Sequence, residues 1–179
     1  MIVNILNAIT LSRILCAILI YFFLFLESQY LLALLLFGIA SFSDFVDGYV
    51  ARKTNNVSVL GEILDPIADK LLIVFVLIGL SINLDSFLIG FISALIISRE
   101  VWVAALRDIN ARNNQSDKTK VTFFAKTKTA IQMIAIFMYL FGLTLNNMIV
   151  LFFADIILIV ALLVTIQTGF QYTISTFKK

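Results

Sequence analysis

The stretch DFVDGYVARKTNNVSVLGEILDPIADK, residues 44–70, places four aspartates in a chain that is otherwise poor in charge. The chain has 179 residues, of which 61% are hydrophobic and 13% charged, and its mean hydropathy is +1.06. A charged side chain near the centre of a membrane costs about 2.5–3.5 kcal/mol. A membrane protein that carries Asp44, Asp47, Asp65 and Asp69 in or beside its spans therefore needs a functional reason for them.

The apolar stretches on both sides of these acids have the length of membrane spans. They lie at about 10–27, 30–51, 64–83, 86–107, 123–145 and 147–170. Because a spanning helix needs ~20 apolar residues, the length of the chain leaves room for six spans and short connections. We predict an all-α integral membrane protein with six transmembrane helices. We expect a single membrane-embedded domain, residues 1–179, with a short interfacial segment at about 1–9.

The basic residues predict the orientation in the membrane. With the N-terminus in the cytoplasm, all 13 lysines and arginines fall at or toward the inner side, while the outer connections carry Glu27 and Asp85. Basic residues favour the cytoplasmic side of bacterial-type membranes. We therefore expect both termini and the four aspartates at the cytoplasmic side of an inner (plasma) membrane, in contact with membrane lipids.

The composition excludes several kinds of site. The chain has one cysteine, Cys16, and no histidine, so a disulfide framework and a Cys/His zinc site are ruled out. The commonest general base is also missing. A net charge of +2 with so little polar surface does not favour nucleic-acid binding, and we expect no nucleic-acid partner.

The spacing of the four aspartates predicts a metal site. Asp44 and Asp47 are three residues apart, Asp65 and Asp69 are four apart, and each pair shares one face of a helix. Two such pairs on neighbouring helices can converge into one cluster of carboxylates. Hard divalent cations neutralise such a cluster, and Mg²⁺ is the usual choice where phosphates complete the coordination. Two such ions are the common arrangement for in-line attack at phosphorus.

The residues between the acids fit a phosphorylated ligand. Gly48, Ala51 and Gly61 are small and allow a close approach of helices or ligand. Arg52 lies two turns after Asp44, where its planar guanidinium can pair with a phosphate. The pattern therefore predicts a phosphate-bearing substrate beside the acids.

The pattern Asp-x-x-Asp-Gly-x-x-Ala-Arg, eight residues, then Gly-x-x-x-Asp-x-x-x-Asp resembles the signature of the CDP-alcohol phosphotransferase family. The resemblance implies the six-helix fold of that family, a homodimer, and two Mg²⁺ (or Mn²⁺) ions that bind the pyrophosphate of a CDP-activated lipid. It implies that the first three aspartates are mainly metal ligands, and that Asp69 is both a ligand and the general base. The residues that it assigns to the CDP-lipid site are Asp44, Gly48, Ala51, Arg52 and Gly61.

Three further segments resemble the branch of this family that uses glycerol 3-phosphate as acceptor. They are NAITLSR (7–13), SREVWVAALR (98–107) and AKTKTAIQM (125–133). The first segment adds possible substrate contacts at Asn7, Thr10 and Arg13. The second and third place four cations near the inner ends of spans four and five: Arg99, Arg107, Lys126 and Lys128.

A phosphorylated acceptor needs such a cationic pocket, whereas serine or choline does not. We therefore expect CDP-diacylglycerol and glycerol 3-phosphate as substrates, with phosphatidylglycerophosphate and CMP as products. Serine, inositol phosphate and phosphatidylglycerol stay open as alternative acceptors.

The competing class of protein is an ion-coupled transporter, because paired acids also occur in ion pathways. The strict Gly, Ala and Arg spacing and the lack of an internal repeat favour the enzyme. Positive-inside anchoring alone suffices for the basic residues in loops and tails. Asp155, alone in span six, is interpreted as a polar contact at a helix interface or a dimer interface.

Overall fold

The computed structural model describes the backbone of residues 2–26, 29–54, 59–119 and 123–178. Within these ranges it describes the side chains except at residues 2–7, 44–54, 59–60, 62–63, 116 and 123–126. The regular structure in the described ranges is helical. The α-helices are α1 (Ile2–Phe25), α2 (Tyr30–Thr54), α3 (Val59–Asn83), α4 (Phe87–Arg112), α5 (Phe123–Thr144) and α6 (Met148–Phe177), with a short 3-10 helix at Ser116–Thr119.

Four segments of the described chain are long and apolar enough to cross a membrane. They are Ala8–Phe25, Phe87–Arg112, Thr127–Thr144 and Met148–Phe177. The remaining two helices, α2 and α3, have 25 residues each, about 37 Å at ~1.5 Å per residue, which also exceeds a hydrocarbon core of ~30 Å. Both carry their acids near one end, and α2 has a shorter apolar part, Tyr30–Ser43. The all-helical membrane fold is confirmed, and the count of six spans stays a prediction.

The helices extend beyond the predicted spans at several ends. α4 continues past residue 107 to Arg112, where Asp108 and Arg112 form an i,i+4 ion pair with a 2.7 Å N–O distance. α6 continues past residue 170 because its last turns pack on α4, and Asn110 donates to Thr176 Oγ1 at 2.9 Å. α1 begins at Ile2, so most of the predicted interfacial segment forms its first turns.

Three helix ends use an aspartate or asparagine in the left-handed region, namely Asp85 (φ 45°), Asn114 (φ 55°) and Asn146 (φ 50°). In each case the next N–H donates to the carbonyl five residues earlier, at 2.7–2.9 Å, which satisfies the free end of the helix. The side chains of Ser86 and Asn147 then cap the N-termini of α4 and α6. These hydrogen bonds and caps form the short connections between the predicted spans 64–83 and 86–107 and between 123–145 and 147–170.

The six helices pack in a ring in the order α1, α2, α5, α6, α4 and α3, and α3 closes the ring on α1. α3 also contacts α5 across the ring. α1 therefore touches both helices that carry the aspartate signature. This arrangement brings the acids of α3 into reach of polar residues on α1.

The apolar core lies at the centre of this ring. Its largest buried aliphatic side chains come from four helices, α1, α3, α4 and α5: Ile20, Leu24, Leu72, Leu77, Leu80, Ile89, Ile96, Ile136 and Leu140. The outer surfaces carry many exposed Leu, Ile and Phe side chains, including Leu15, Phe22, Phe42, Phe152 and Leu163. Soluble monomers rarely expose such continuous apolar surface, so these faces are suited to lipid.

Polar contacts join the helices at the end opposite the aspartates. Asn83 Nδ2 donates to the Leu24 carbonyl at 2.7 Å and to the Tyr30 hydroxyl at 3.0 Å, which links α3 to α1 and α2. The buried Tyr139 hydroxyl donates to Asp155 Oδ1 at 2.5 Å, between α5 and α6. Of the two interpretations of Asp155, the structure therefore supports the contact at a helix interface.

Gly142→Ala is expected to destabilise the protein. A Cβ at Gly142 would lie 2.7 Å from Leu151 Cδ2 and 3.3 Å from the Leu151 backbone nitrogen. Overpacking of this kind costs about 1–3 kcal/mol, so the midpoint of thermal unfolding in detergent, followed by circular dichroism, should fall. Gly38→Ala is the matched control, because a Cβ there meets nothing within 4 Å. Equal midpoints for the two variants would contradict this account of the α5–α6 contact.

Candidate active site

Two acids of the predicted metal site lie on α3. Asp65 and Asp69 are one helical turn apart, on one face, and both are partly exposed. Pro66 lies inside the helix between them. Because proline has no N–H, it cannot donate to the carbonyl four residues earlier, which weakens the regular helix at the acids.

Residues of α1 hold both of these acids. The Thr10 hydroxyl donates to Asp65 Oδ1 at 2.7 Å, and Arg13 Nη1 donates to Asp69 Oδ1 at 2.8 Å. The Arg13 side chain is fully buried, whereas the Asp69 side chain is 31% exposed. Thr10 and Arg13 were predicted as substrate contacts, and the structure places both of them against the acids. The two contacts fix the orientation of the carboxylates.

The other half of the predicted metal site lies on α2, where the backbone is helical through residues 44–54. The side chains of Asp44, Asp47, Ala51 and Arg52, and the surroundings of Gly48, are outside the described part, so their approach to α3 stays a prediction. The same holds for the side chains of Asn7 and Lys126. Gly61 lies in the first turn of α3.

Among the side chains that the structure describes, no three residues of metal-binding type come together. The donors that are described still fit a hard cation. Asp65 and Asp69 supply carboxylate oxygens at partly exposed positions, and hard divalent cations prefer such oxygens. The chemistry of this pair is therefore compatible with the predicted metal, together with the acids of α2.

A second polar cluster joins α4, α5 and α6. Glu100 Oε1 accepts from Arg99 Nη1 at 2.8 Å and from Lys128 Nζ. Arg99 also donates through Nε to the Thr165 carbonyl at 3.1 Å and through Nη2 to Thr168 Oγ1 at 2.9 Å. Two of the four predicted acceptor-site cations, Arg99 and Lys128, thus meet at one carboxylate.

Arg107 joins the same region through an aromatic ring. The guanidinium carbons of Arg99 and Arg107 lie 5.8 and 5.6 Å from the ring centroid of Tyr172, within the range of a cation–π contact. Gly169 allows Arg99 to approach α6, because a Cβ there would lie 3.1 Å from Arg99 Cγ. Arg107 itself is exposed, at the periphery of the cluster.

The two clusters lie near each other. α3 packs on α5, so the helix that carries Asp65 and Asp69 is a neighbour of the helix that carries Lys128. The cations of α4 and α5 therefore lie on the acid-bearing side of the molecule.

The sequence interpretation missed the residues that organise the cations. Glu100, Gln132, Thr165 and Thr168 were not predicted, although Gln132 Nε2 donates to Thr165 Oγ1 at 3.0 Å inside the bundle. An acid next to Arg99 within an apolar helix was a usable signal, because an intramembrane acid needs a partner. The threonines of α6 carried no such signal, since hydroxyls are common in membrane helices.

Comparison with known proteins supports the predicted family. The model of the CDP-alcohol phosphatidyltransferase family matches residues 3–167, a range that includes every predicted site residue. A relative from Rickettsia bellii, named CDP-diacylglycerol--glycerol-3-phosphate 3-phosphatidyltransferase, is 40% identical over 172 residues, covering 94% of this chain and 93% of the relative. A protein of the same name from Haemophilus influenzae is 35% identical over 153 residues, covering 86% and 81%.

Arg13→Gln is expected to lower the stability strongly. Loss of one partner of a buried ion pair costs about 3–5 kcal/mol, and the partial exposure of Asp69 reduces this toward the lower limit. The control is Arg112→Gln. Arg112 pairs with Asp108, and the two side chains are 77% and 59% exposed, so loss of this pair should change the stability little. Thermal unfolding in detergent measures both, and an equal effect of the two substitutions would argue against a buried clamp between α1 and α3.

Proposed function

This chain belongs to the CDP-alcohol phosphatidyltransferase family, and we propose that it transfers the phosphatidyl group of CDP-diacylglycerol to glycerol 3-phosphate. The products would be phosphatidylglycerophosphate and CMP. The names of relatives that match along most of their length support this proposal. The observation that carries it in the structure is the pair of α1-held acids on α3 beside a cluster of cations from α4 and α5.

We propose that two Mg²⁺ (or Mn²⁺) ions are held by Asp44, Asp47, Asp65 and Asp69. When bound, such ions would neutralise the pyrophosphate of the activated lipid and make its phosphorus more electrophilic. The role of Arg13 and Thr10 would be to hold Asp69 and Asp65 in fixed orientations. This anchoring would limit the rearrangement that the carboxylates need during the reaction.

In the proposed reaction, Asp69 accepts the proton of the acceptor hydroxyl. The hydroxyl oxygen forms a bond to the lipid-side phosphorus, the bond from that phosphorus to the bridging oxygen breaks, and CMP leaves. A carboxylate with one oxygen fixed by Arg13 and a partly exposed side chain is suited to this role. Asp44, Gly48, Ala51, Arg52 and Gly61 would form the site for the CDP group.

The acceptor phosphate would be bound by Arg99, Arg107, Lys126 and Lys128. The contacts of Arg99 with Thr165 and Thr168 support a refinement, in which Arg99 is anchored on α6 and presents its remaining donors. Lys128 would supply the second positive charge. Asn7 would be a further substrate contact.

The proposed setting is a six-span, single-domain enzyme of the inner membrane that works as a homodimer. Both termini and the active site would face the cytoplasm, with residues 1–9 at the interface. The exposed apolar faces of the helices would accommodate the lipid tails. The polar substrates would reach the acid-bearing ends of α2 and α3 from the water.

Asp69→Asn is expected to reduce CMP release by at least about a hundredfold, because the amide cannot accept the proton. The assay combines the purified chain, Mg²⁺, CDP-diacylglycerol and glycerol 3-phosphate. The matched control is Asp85→Asn, which removes the same charge in a turn where asparagine tolerates the left-handed backbone, and which should keep full activity.

The acceptor is tested by offering serine, inositol phosphate and phosphatidylglycerol in the same assay. CMP release with serine but not with glycerol 3-phosphate would refute the acceptor and keep the reaction class. Ion flux into vesicles without any lipid product would refute the enzyme and favour a transporter.

A further inference from the structure

Glu100 occupies a central position between two cations of different helices. One oxygen, Oε1, accepts from Arg99 Nη1 at 2.8 Å and from Lys128 Nζ. Arg99 also donates to the Thr165 carbonyl and the Thr168 hydroxyl and lies over the ring of Tyr172, all of which are neutral groups. Glu100 therefore supplies the negative charge on which both Arg99 and Lys128 converge.

The burial of the three side chains differs in an informative way. The side chains of Arg99 and Lys128 are 9% and 7% exposed, whereas that of Glu100 is 21% exposed. Buried cations without a partner are costly, so the carboxylate stabilises the cluster. The acid is nevertheless the most accessible of the three side chains.

Among the side chains that the structure describes, this cluster has more positive than negative groups. Arg99 and Lys128 bring two positive charges to one carboxylate. A phosphate monoester carries about −1.5 to −2 at pH 7 and has three acceptor oxygens. It would neutralise the cations more completely than a single carboxylate does, and it could accept from both at once.

We propose that Glu100 is an internal counter-anion that holds the place of the acceptor's phosphate and thereby sets the affinity for it. The identification of the ligand as the acceptor rests on the proposed function. In the empty site Glu100 neutralises Arg99 and Lys128. When a phosphate monoester binds, the carboxylate turns outward and the phosphate takes over both hydrogen bonds.

This exchange would also discriminate between acceptors. A neutral or zwitterionic alcohol offers no dianion to replace the carboxylate, so it would leave Glu100 bound to both cations. A phosphate monoester restores the lost interactions and adds charge. The carboxylate of Glu100 therefore lowers the affinity of the site for a phosphate monoester, but it prevents binding of alcohols that lack a phosphate.

The test is the binding of inorganic phosphate and of glycerol 3-phosphate to the full chain in detergent. Isothermal titration calorimetry is carried out without CDP-diacylglycerol or divalent metal. Glu100→Gln removes the competing charge with little change in size, and the Kd for both ligands is expected to fall by about fivefold or more. An unchanged or higher Kd in a folded Glu100→Gln protein would overturn the proposal.

Asp108→Asn is the matched control. Asp108 is on the same helix, loses the same charge, and is paired with Arg112 at an exposed position away from the cluster. Its Kd values should equal those of the wild type. An equal fall of the Kd in both variants would show a general effect of net charge and would also overturn the proposal.

Kinetics separates the counter-anion from a purely structural role. The counter-anion role predicts a lower KM for glycerol 3-phosphate in Glu100→Gln, with an unchanged KM for CDP-diacylglycerol. A structural role predicts instead a higher KM for glycerol 3-phosphate, because Lys128 would lose its position. If Glu100→Gln does not fold, Glu100→Asp keeps the charge on a shorter stem. Its Kd for phosphate should fall by a smaller factor, and an unchanged Kd would contradict the proposal.

The role of Glu100 and the proposed function can be refuted separately. A wild-type chain that releases no CMP with glycerol 3-phosphate, but shows the expected difference in phosphate Kd, would refute the function and support the role of Glu100. An active wild type with equal Kd values in Glu100→Gln would do the reverse.

Discussion

The contact between Arg13 and Asp69 fixes the relation of α1 to α3. The guanidinium is fully buried, and its Nη1 lies 2.8 Å from Asp69 Oδ1. Moving an ion from water into a low-dielectric interior costs several kcal/mol, which close partners have to offset. Packing of leucine and isoleucine side chains alone is compatible with many rotations of one helix against another. The Arg13–Asp69 pair and the neighbouring Thr10–Asp65 contact are compatible with only one rotation of α1 against α3.

A second buried ionic cluster links the helices on the opposite part of the ring. Arg99, Glu100 and Lys128 bring α4 and α5 together, and Arg99 attaches both to α6 through Thr165 and Thr168. The α3–α5 contact brings this cluster toward the acids. These two polar clusters lie on one side of the bundle, the apolar core lies between the helices, and the contacts of Asn83 and of Tyr139 with Asp155 lie at the other end.

The two clusters suit different parts of the proposed reaction. Carboxylates on α3, supported by α1, suit the metal-bound pyrophosphate of the activated lipid. Cations on α4 and α5 suit the phosphate of a small acceptor. The apolar outer faces suit the lipid tails. The residues proposed to hold the reacting groups are themselves held by neighbouring helices, and this would preorganise the site before the substrates arrive.

Local patterns in the sequence determined the helices, the registers of the acid pairs and the family. These features depend on residues three or four apart, or on a short spaced motif, and the match over residues 3–167 confirms the family. The positions of Asp65 and Asp69 on one face follow from the helix period alone.

The tertiary structure decided which helices face each other. It showed that Thr10 and Arg13 meet the acids, that Asp155 pairs with Tyr139, and that Glu100 lies between two cations. These contacts join residues 16–56 positions apart or depend on the rotation of one helix against another. The helix period specifies which residues share a face, but the partner of that face is chosen by the packing of the whole bundle.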